Sequence, residues 1–253
     1  MAEPQFLTTP EGRHIAYHRT QNAGASGPGV VFLGGFKSDM EGTKALHLEA
    51  WCAAQGRDFL RFDYSGHGRS SGDFLAGSIG EWTADARAAI GQLTHGRQVL
   101  VGSSMGGWIA LLVARAMGDR IAGLLGIAAA PDFTEDSMWE GFTDAQRKAL
   151  EQEGQVALPS DYSDDPYIIT RRLIEDGRTN LVLRDPLPLP FPVRLLHGTA
   201  DADVAQSVPL ALLSHGKSPD MALTLVKDAD HRFSEPENLA LVEATLTDLL
   251  NRV

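Results

Sequence analysis

The sequence predicts an α/β fold: a mostly parallel sheet of about eight strands, helices on both faces, and a small helical cap inserted late in the chain. Three observations predict it. Short, continuous apolar runs alternate with helix-patterned segments, as strands buried on both faces of a parallel sheet require. One such run, Val99-Leu100-Val101, passes through Gly102-Ser103-Ser104-Met105-Gly106-Gly107 straight into the helical pattern Trp108 to Ala114. The rhythm then breaks once, between about 132 and 192, where charges, aromatics and prolines replace the apolar runs. The 253 residues suffice for one large domain with that segment inserted into it.

Taken in order, Gln5 to Thr9 and Arg13 to Arg19 read as a hairpin around Thr9-Pro10-Glu11-Gly12. After a small-residue loop (21–29), Val30-Val31-Phe32-Leu33 is a buried strand ending in Gly34-Gly35-Phe36. Ser38 or Asp39 is expected to cap a helix running to about Gln55, with Gly56 as its stop. Asp58 to Phe62 is the next strand, followed by Asp63-Tyr64-Ser65-Gly66-His67-Gly68-Arg69-Ser70. Apolar residues at Ile79, Trp82, Ala86, Ala89, Ile90 and Leu93 make an amphipathic helix, with Ser78 and Glu81 as a capping box. Ile121 to Ala128 is a further strand. Within the inserted segment, Thr143 to Glu153 and Pro166 to Asp176 are helical by pattern, and no buried strand is evident. The prolines at 186, 188, 190 and 192 impose an extended return path. Val193 to Leu196 and Leu223 to Val226 complete the sheet, with helices at Gln206 to Ser214 and about Glu237 to Leu250.

Composition narrows the function classes. The formal charge of −11, without a Lys/Arg cluster, argues against nucleic acid and against an anionic membrane surface. No apolar run is long enough to span a bilayer. The single cysteine, Cys52, leaves no disulfide within the chain and no cysteine metal site, and its helical setting suggests a buried, inert thiol. No phosphate-cradling G-x-x-x-x-G-K-[ST] or G-x-G-x-x-G is present, so no cofactor or metal is expected. Met1-Ala2-Glu3-Pro4-Gln5 has neither a basic nor an apolar targeting region, which makes a cytoplasmic enzyme the expectation.

The chemistry gathers around Ser104. G-x-S-x-G in strand–turn–helix context presents a serine hydroxyl outward above a helix N-terminus, the arrangement of a nucleophile elbow. A serine hydroxyl needs a base to take its proton. Of eight histidines, His231 is preferred, because it follows the last strand and comes after the candidate acid in the order Ser, Asp, His. Asp201 and Asp203 both follow the penultimate strand; Asp201 stands closer to its end and is favoured, with Asp203 the alternative. Asp228 and Asp230 would shape the histidine loop, and His67 and His197 would shape loops of their own. Two backbone N–H groups, of Phe36 and Met105, are the candidates for an oxyanion hole. Met138, Trp139 and Phe142 are the candidate substrate-binding residues, and Tyr162, Tyr167 and Ile168 could line the same acyl pocket.

Gly34-Gly35-Phe36, Arg61-Phe62-Asp63-Tyr64-Ser65-Gly66-His67-Gly68, Gly102 to Trp108 and His197-Gly198-Thr199-Ala200-Asp201 together resemble the α/β-hydrolase superfamily. More narrowly, Gly42-Thr43-Lys44-Ala45, Leu195-Leu196-His197-Gly198, Asp230-His231-Arg232, and Pro159-Ser160 with Tyr162-Ser163 resemble the family of the mitochondrial mycophenolic acid acyl-glucuronide esterase and palmitoyl-protein thioesterase. The resemblance implies Ser104 as nucleophile, Asp201 as acid and His231 as base. It departs at Gly34-Gly35, where many members have His-Gly, and at Val204-Ala205, where many have Val-Pro. The expected activity is a serine hydrolase acting on a small-molecule ester or acyl-thioester through an acyl-enzyme. A non-catalytic receptor on the same fold and a peptidase or amidase are the alternatives, and no oligomeric state follows from the sequence.

Overall fold

A computed structural model describes residues 3–158 and 166–253. The apolar runs become strands because each can bury both faces. Five of them, β3 (Gly29–Leu33), β4 (Phe59–Phe62), β5 (Gln98–Ser103), β6 (Ile121–Ile127) and β7 (Val193–Gly198), are buried along their whole length. With β1 (Gln5–Thr8), β2 (His14–Thr20) and β8 (Met221–Val226) they form an eight-stranded sheet in the order β1-β2-β4-β3-β5-β6-β7-β8. The pairings β1/β2 and β2/β4 are antiparallel and all others parallel, so the α/β architecture expected from the alternation is the one found. Only β8 alternates between exposed and half-buried residues, as an edge strand does.

Alternate residues of a strand face opposite sides, and the two sides hold two apolar layers. Val30, Phe32, Val99 and Val101 pack with Leu48 and Cys52 of α1 (Thr43–Ala54) and with Val242, Leu246 and Leu249 of α7 (Pro236–Leu250). Val31, Leu33 and Leu100 pack with Trp82 of α2 (Ile79–Leu93) and Trp108 of α3 (Met105–Ala116). Cys52 is fully buried, and burial pushes its thiol up to about 12, which makes it the inert thiol expected.

Local signals met mixed outcomes. Ser78 Oγ accepts from Glu81 N, so the cap forms, but the Glu81 carboxylate turns to Ser65 and Arg172. Neither Ser38 nor Asp39 caps α1. The N-cap is Gly42, while Ser38 Oγ accepts from Gly35 N and Asp39 from Glu41 N, so both hydroxyl and carboxylate serve the preceding loop instead.

Between β6 and β7 the chain leaves the sheet. A π-type turn (Thr134–Trp139) leads to α4 (Asp144–Glu153), which Thr143 and Gln146 start with a complete capping box and Gly154 ends at φ 78°. Two corrections follow. Gln155–Leu158 and Tyr167–Thr170 pair as an antiparallel ribbon, and the helix placed at 166–176 is α5, Arg171–Thr179. Ile168 and Ile169 favour the extended ribbon, and Thr170, whose Oγ accepts from Leu173 N, sets the later start. The proline-rich return is extended as expected: Leu187–Pro188 pairs with Gly216–Lys217 before β7, and α6 (Ser207–His215) leads on to β8.

Candidate active site

Parallel strands bring their C-terminal ends to one edge, and the site forms there. β5 ends at Ser103 and α3 begins at Met105, so Ser104 is the whole turn, held at φ 54° and ψ −120°. A non-glycine residue at that φ is strained and persists only when its surroundings fix it. They do so here. Ser104 N donates to Ile127 O at 3.0 Å, and Ser104 O accepts from Gly107 N at 2.9 Å and Ala130 N at 3.1 Å. The flanking glycines are steric requirements: a methyl on Gly102 would strike the Gly106 carbonyl, and one on Gly106 would strike Leu33 O.

His231 Nε2 lies 3.0 Å from Ser104 Oγ, and its Nδ1 lies 3.0 and 2.9 Å from the two oxygens of Asp201. Asp201 Oδ1 also accepts from Asp203 N (2.9 Å) and Val204 N (2.8 Å). Burial alone would raise the Asp201 carboxyl, but the bonds from His231, Val204 and Asp203 outweigh it and hold the group below the usual carboxylate range. A carboxylate kept charged behind an imidazole favours the tautomer whose Nε2 can accept a proton. Asp203 is exposed and contributes its backbone N–H to Asp201. His197 is fully buried, with Nε2 against Val204 O, and burial lowers its pKa against the opposing pull of Asp201. His67 is buried among Tyr64, Phe74 and Trp82, and burial takes it down to about 4.

A cavity of about 520 Å³ opens over Ser104 and His231. Phe36 and Met105 both line it, and the loop of Phe36 approaches Ser104 closely at Gly35. Of the three candidate substrate-binding residues, Met138 lines the cavity, whereas Trp139 and Phe142 stand outside it. Trp139 packs against Phe142 and lies under the Arg178 and Arg147 guanidinium groups, at 4.4 and 5.3 Å from its ring centre, and Phe142 is buried. Tyr167 lines the cavity; Tyr162, Pro159-Ser160 and Ser163 lie outside the described residues.

Sequence reasoning missed Phe133 and Leu158, which complete the apolar wall, and Lys37, Lys44 and Arg232, which bring charge to it. Proximity in sequence to the Gly-Gly loop and to His231 was the available signal for Lys37 and Arg232. Among the described residues, Asp201, Asp203 and His231 are the group whose ligand atoms fall within 4.8 Å of one another. Both Asp201 oxygens already bond His231, so this set suits proton transfer better than holding an ion.

A family model described as serine aminopeptidase, S33 matches residues 29–172. The rat palmitoyl-protein thioesterase ABHD10, mitochondrial, is 35% identical over 98% of this chain and 82% of its own length. The mouse alpha/beta hydrolase domain-containing protein 10 superposes with a TM-score of 0.90 at 34% identity, covering 99% of both chains. The chain belongs to the α/β-hydrolase family. A solved protein of Agrobacterium vitis S4 is similar as well, with a TM-score of 0.94 and 38% identity over 98% of each chain. The sheet order and the resemblance drawn from the motifs agree with this membership. The cytoplasmic expectation is corrected: the rat and mouse relatives, alike along nearly the whole hydrolase, are named mitochondrial, so the first residues of this sequence are no guide to its compartment. No helix among the described residues is long and apolar enough to cross a membrane.

Proposed function

We propose that this hydrolase cleaves carboxylic esters and acyl-thioesters through an acyl-enzyme, with Ser104 as nucleophile, His231 as base and Asp201 as the acid behind it. The observation that carries the reading is the unbroken hydrogen-bonded line from Ser104 Oγ through His231 to Asp201. Its chemistry balances. Ser104 Oγ attacks the carbonyl carbon while its proton passes to His231 Nε2, and the oxygen that becomes negative turns towards the N–H groups of Phe36 and Met105. Collapse breaks the bond to the leaving alcohol or thiol, which takes the proton from His231. Water, deprotonated by the same imidazole, then attacks the acyl-enzyme and releases a carboxylic acid and free Ser104.

Residues 132–192 act as the cap of a single domain. Phe133, Met138, Leu158 and Tyr167 from this segment line the cavity, with the Phe133 and Tyr167 rings packed against Phe36 of the body, which supports an acyl chain lying along this apolar wall. The names of the ABHD10 relatives add weight to a long acyl group on sulfur as one substrate class. A panel of p-nitrophenyl esters and acyl-thioesters of graded chain length, with Ser104→Ala as blank, tests the proposal. Turnover is expected only with Ser104 present; hydrolysis by Ser104→Ala at the parent's rate overturns it.

A further inference from the structure

Lys44 is an odd choice for its position. It stands in the first turn of α1, where the helix dipole repels a cation, and no acidic residue in that turn offsets it. Burial pushes its ammonium down to about 8, with Asp230 opposing that shift and Arg232 adding to it. A neutral or acidic residue would suit this helix terminus better, and such conflicts collect at functional sites. Its Nζ donates to the backbone carbonyl of Arg232, the residue that follows His231.

That loop needs holding. It is flanked by two non-glycine residues with left-handed backbone, Asp228 at φ 61° and Phe233 at φ 50°, a conformation that persists only when over-determined. On the acid's side, Asp228 N donates to Thr199 Oγ1 and Ala200 N to Ala229 O. Within the loop, Phe233 N donates to Asp230 Oδ1 and Ser234 Oγ to Arg232 O. These bonds fix the loop to the Asp201 segment and to itself. Lys44 ties it to α1, and Lys44 lines the same cavity as Gly35 and Phe36, whose loop meets Ser104.

We propose that Lys44 is a positioning residue that tethers the His231 loop to α1 and so keeps Nε2 within proton-transfer reach of Ser104. This rests on the reading of Ser104 and His231 given above. A proton crosses efficiently only over about 2.6–3.2 Å, and a displacement of about 1 Å costs about 10²-fold in rate. Lys44 is thus a positioning group for the base and has no part in bond making.

The test compares the parent with Lys44→Met, Lys44→Gln and Lys44→Arg by three readouts: the rate of labelling at Ser104 by a fluorophosphonate, kcat and KM on one p-nitrophenyl ester, and the thermal midpoint. Lys44→Met is expected to lose about tenfold or more in kcat and in labelling rate at unchanged KM, with its midpoint no lower than the parent's. Gln and Arg, which retain a donor, are expected to recover most of that loss. Lys44→Leu supplies a second apolar replacement should Met fold poorly. The proposal is overturned if the apolar variants label and turn over within twofold of the parent, if KM rises at constant kcat, or if Gln and Arg recover nothing. A parent that is not labelled at Ser104 overturns the nucleophile assignment itself, whereas a labelled parent with an equally reactive Lys44→Met overturns the tether alone.

Discussion

At Ser104 the backbone is strained so that one hydroxyl can leave the plane of the sheet, and single residues elsewhere in the site are committed just as narrowly. Asp201 spends both oxygens on His231 and draws further bonds from two backbone N–H groups, while Asp203 is exposed. Asp201→Asn is therefore expected to lower kcat by about 10⁴-fold, as the analogous tautomer error does in a serine protease, and Asp203→Asn by much less; steady-state kinetics on one ester separates the two. Lys44 gives a pH signature. Its folded-state pKa, about 8, lies below the roughly 10.4 of an unfolded lysine. Between those values the unfolded chain still holds a proton that the folded chain has released, so this group makes stability rise with pH across that window. Relative to Lys44→Met, the parent should gain thermal stability from pH 8 to 10, and a parent that gains nothing on that variant across this range would contradict the assignment. That Ser104, His231 and the favoured Asp201 come together was legible because each follows a strand end at a motif. Lys44 was quoted in a motif but given no role, since a tether between positions 44 and 232 leaves no mark on local pattern.

At the scale of elements, the segment between β6 and β7 is where sequence and structure parted most. The strands of the sheet were readable because burial on both faces writes a continuous apolar run, whereas the ribbon at Gln155–Leu158 and Tyr167–Thr170 has half-buried and exposed residues that match no strong template. Trp139 and Phe142 were expected in the acyl pocket as aromatic residues of this segment, yet their rings pack on each other, with Arg178 over Trp139, and Met138 lines the cavity. Each buried methylene of an acyl chain is worth about 0.8 kcal/mol, so space for two more carbons should raise kcat/KM by about tenfold. Met138→Ala and Tyr167→Ala are expected to shift the preferred chain length while sparing acetyl esters. Trp139→Ala is expected to lower the thermal midpoint without moving that preference. Equal loss on all chain lengths in a stably folded Met138→Ala would assign the wall a structural role instead.

Across the whole molecule, the described residues between β6 and β7 share one core with the body. Phe142, Leu150, Val156, Ile169 and Leu173 pack in the same apolar layer as Trp82 and Trp108 of the body, and Trp108 Nε1 donates to Asn180 O at 3.1 Å. Asp132, fully buried, accepts from Val182 N and Leu183 N and so fastens the outgoing chain to the returning one. A shared core unfolds as a unit, so denaturant transitions followed by near- and far-ultraviolet circular dichroism should coincide; two separated transitions would make the insertion an independent domain.

The same assembly has a consequence for when the molecule becomes reactive. Phe36, Ser104, Asp201 and His231 arrive on the ribosome in that order, and 127 positions separate the serine from the imidazole nitrogen that approaches it. On the mechanism proposed above, a growing chain carries its serine long before β7, β8 and the histidine loop exist to arm it. An incomplete or truncated product therefore holds only an ordinary, inert alcohol at position 104. With Ser104 as the proposed nucleophile, chemical reactivity at that one oxygen would report that the segment carrying Asp201 and His231 has folded into place, and a serine-directed covalent probe would read that folding in a living cell.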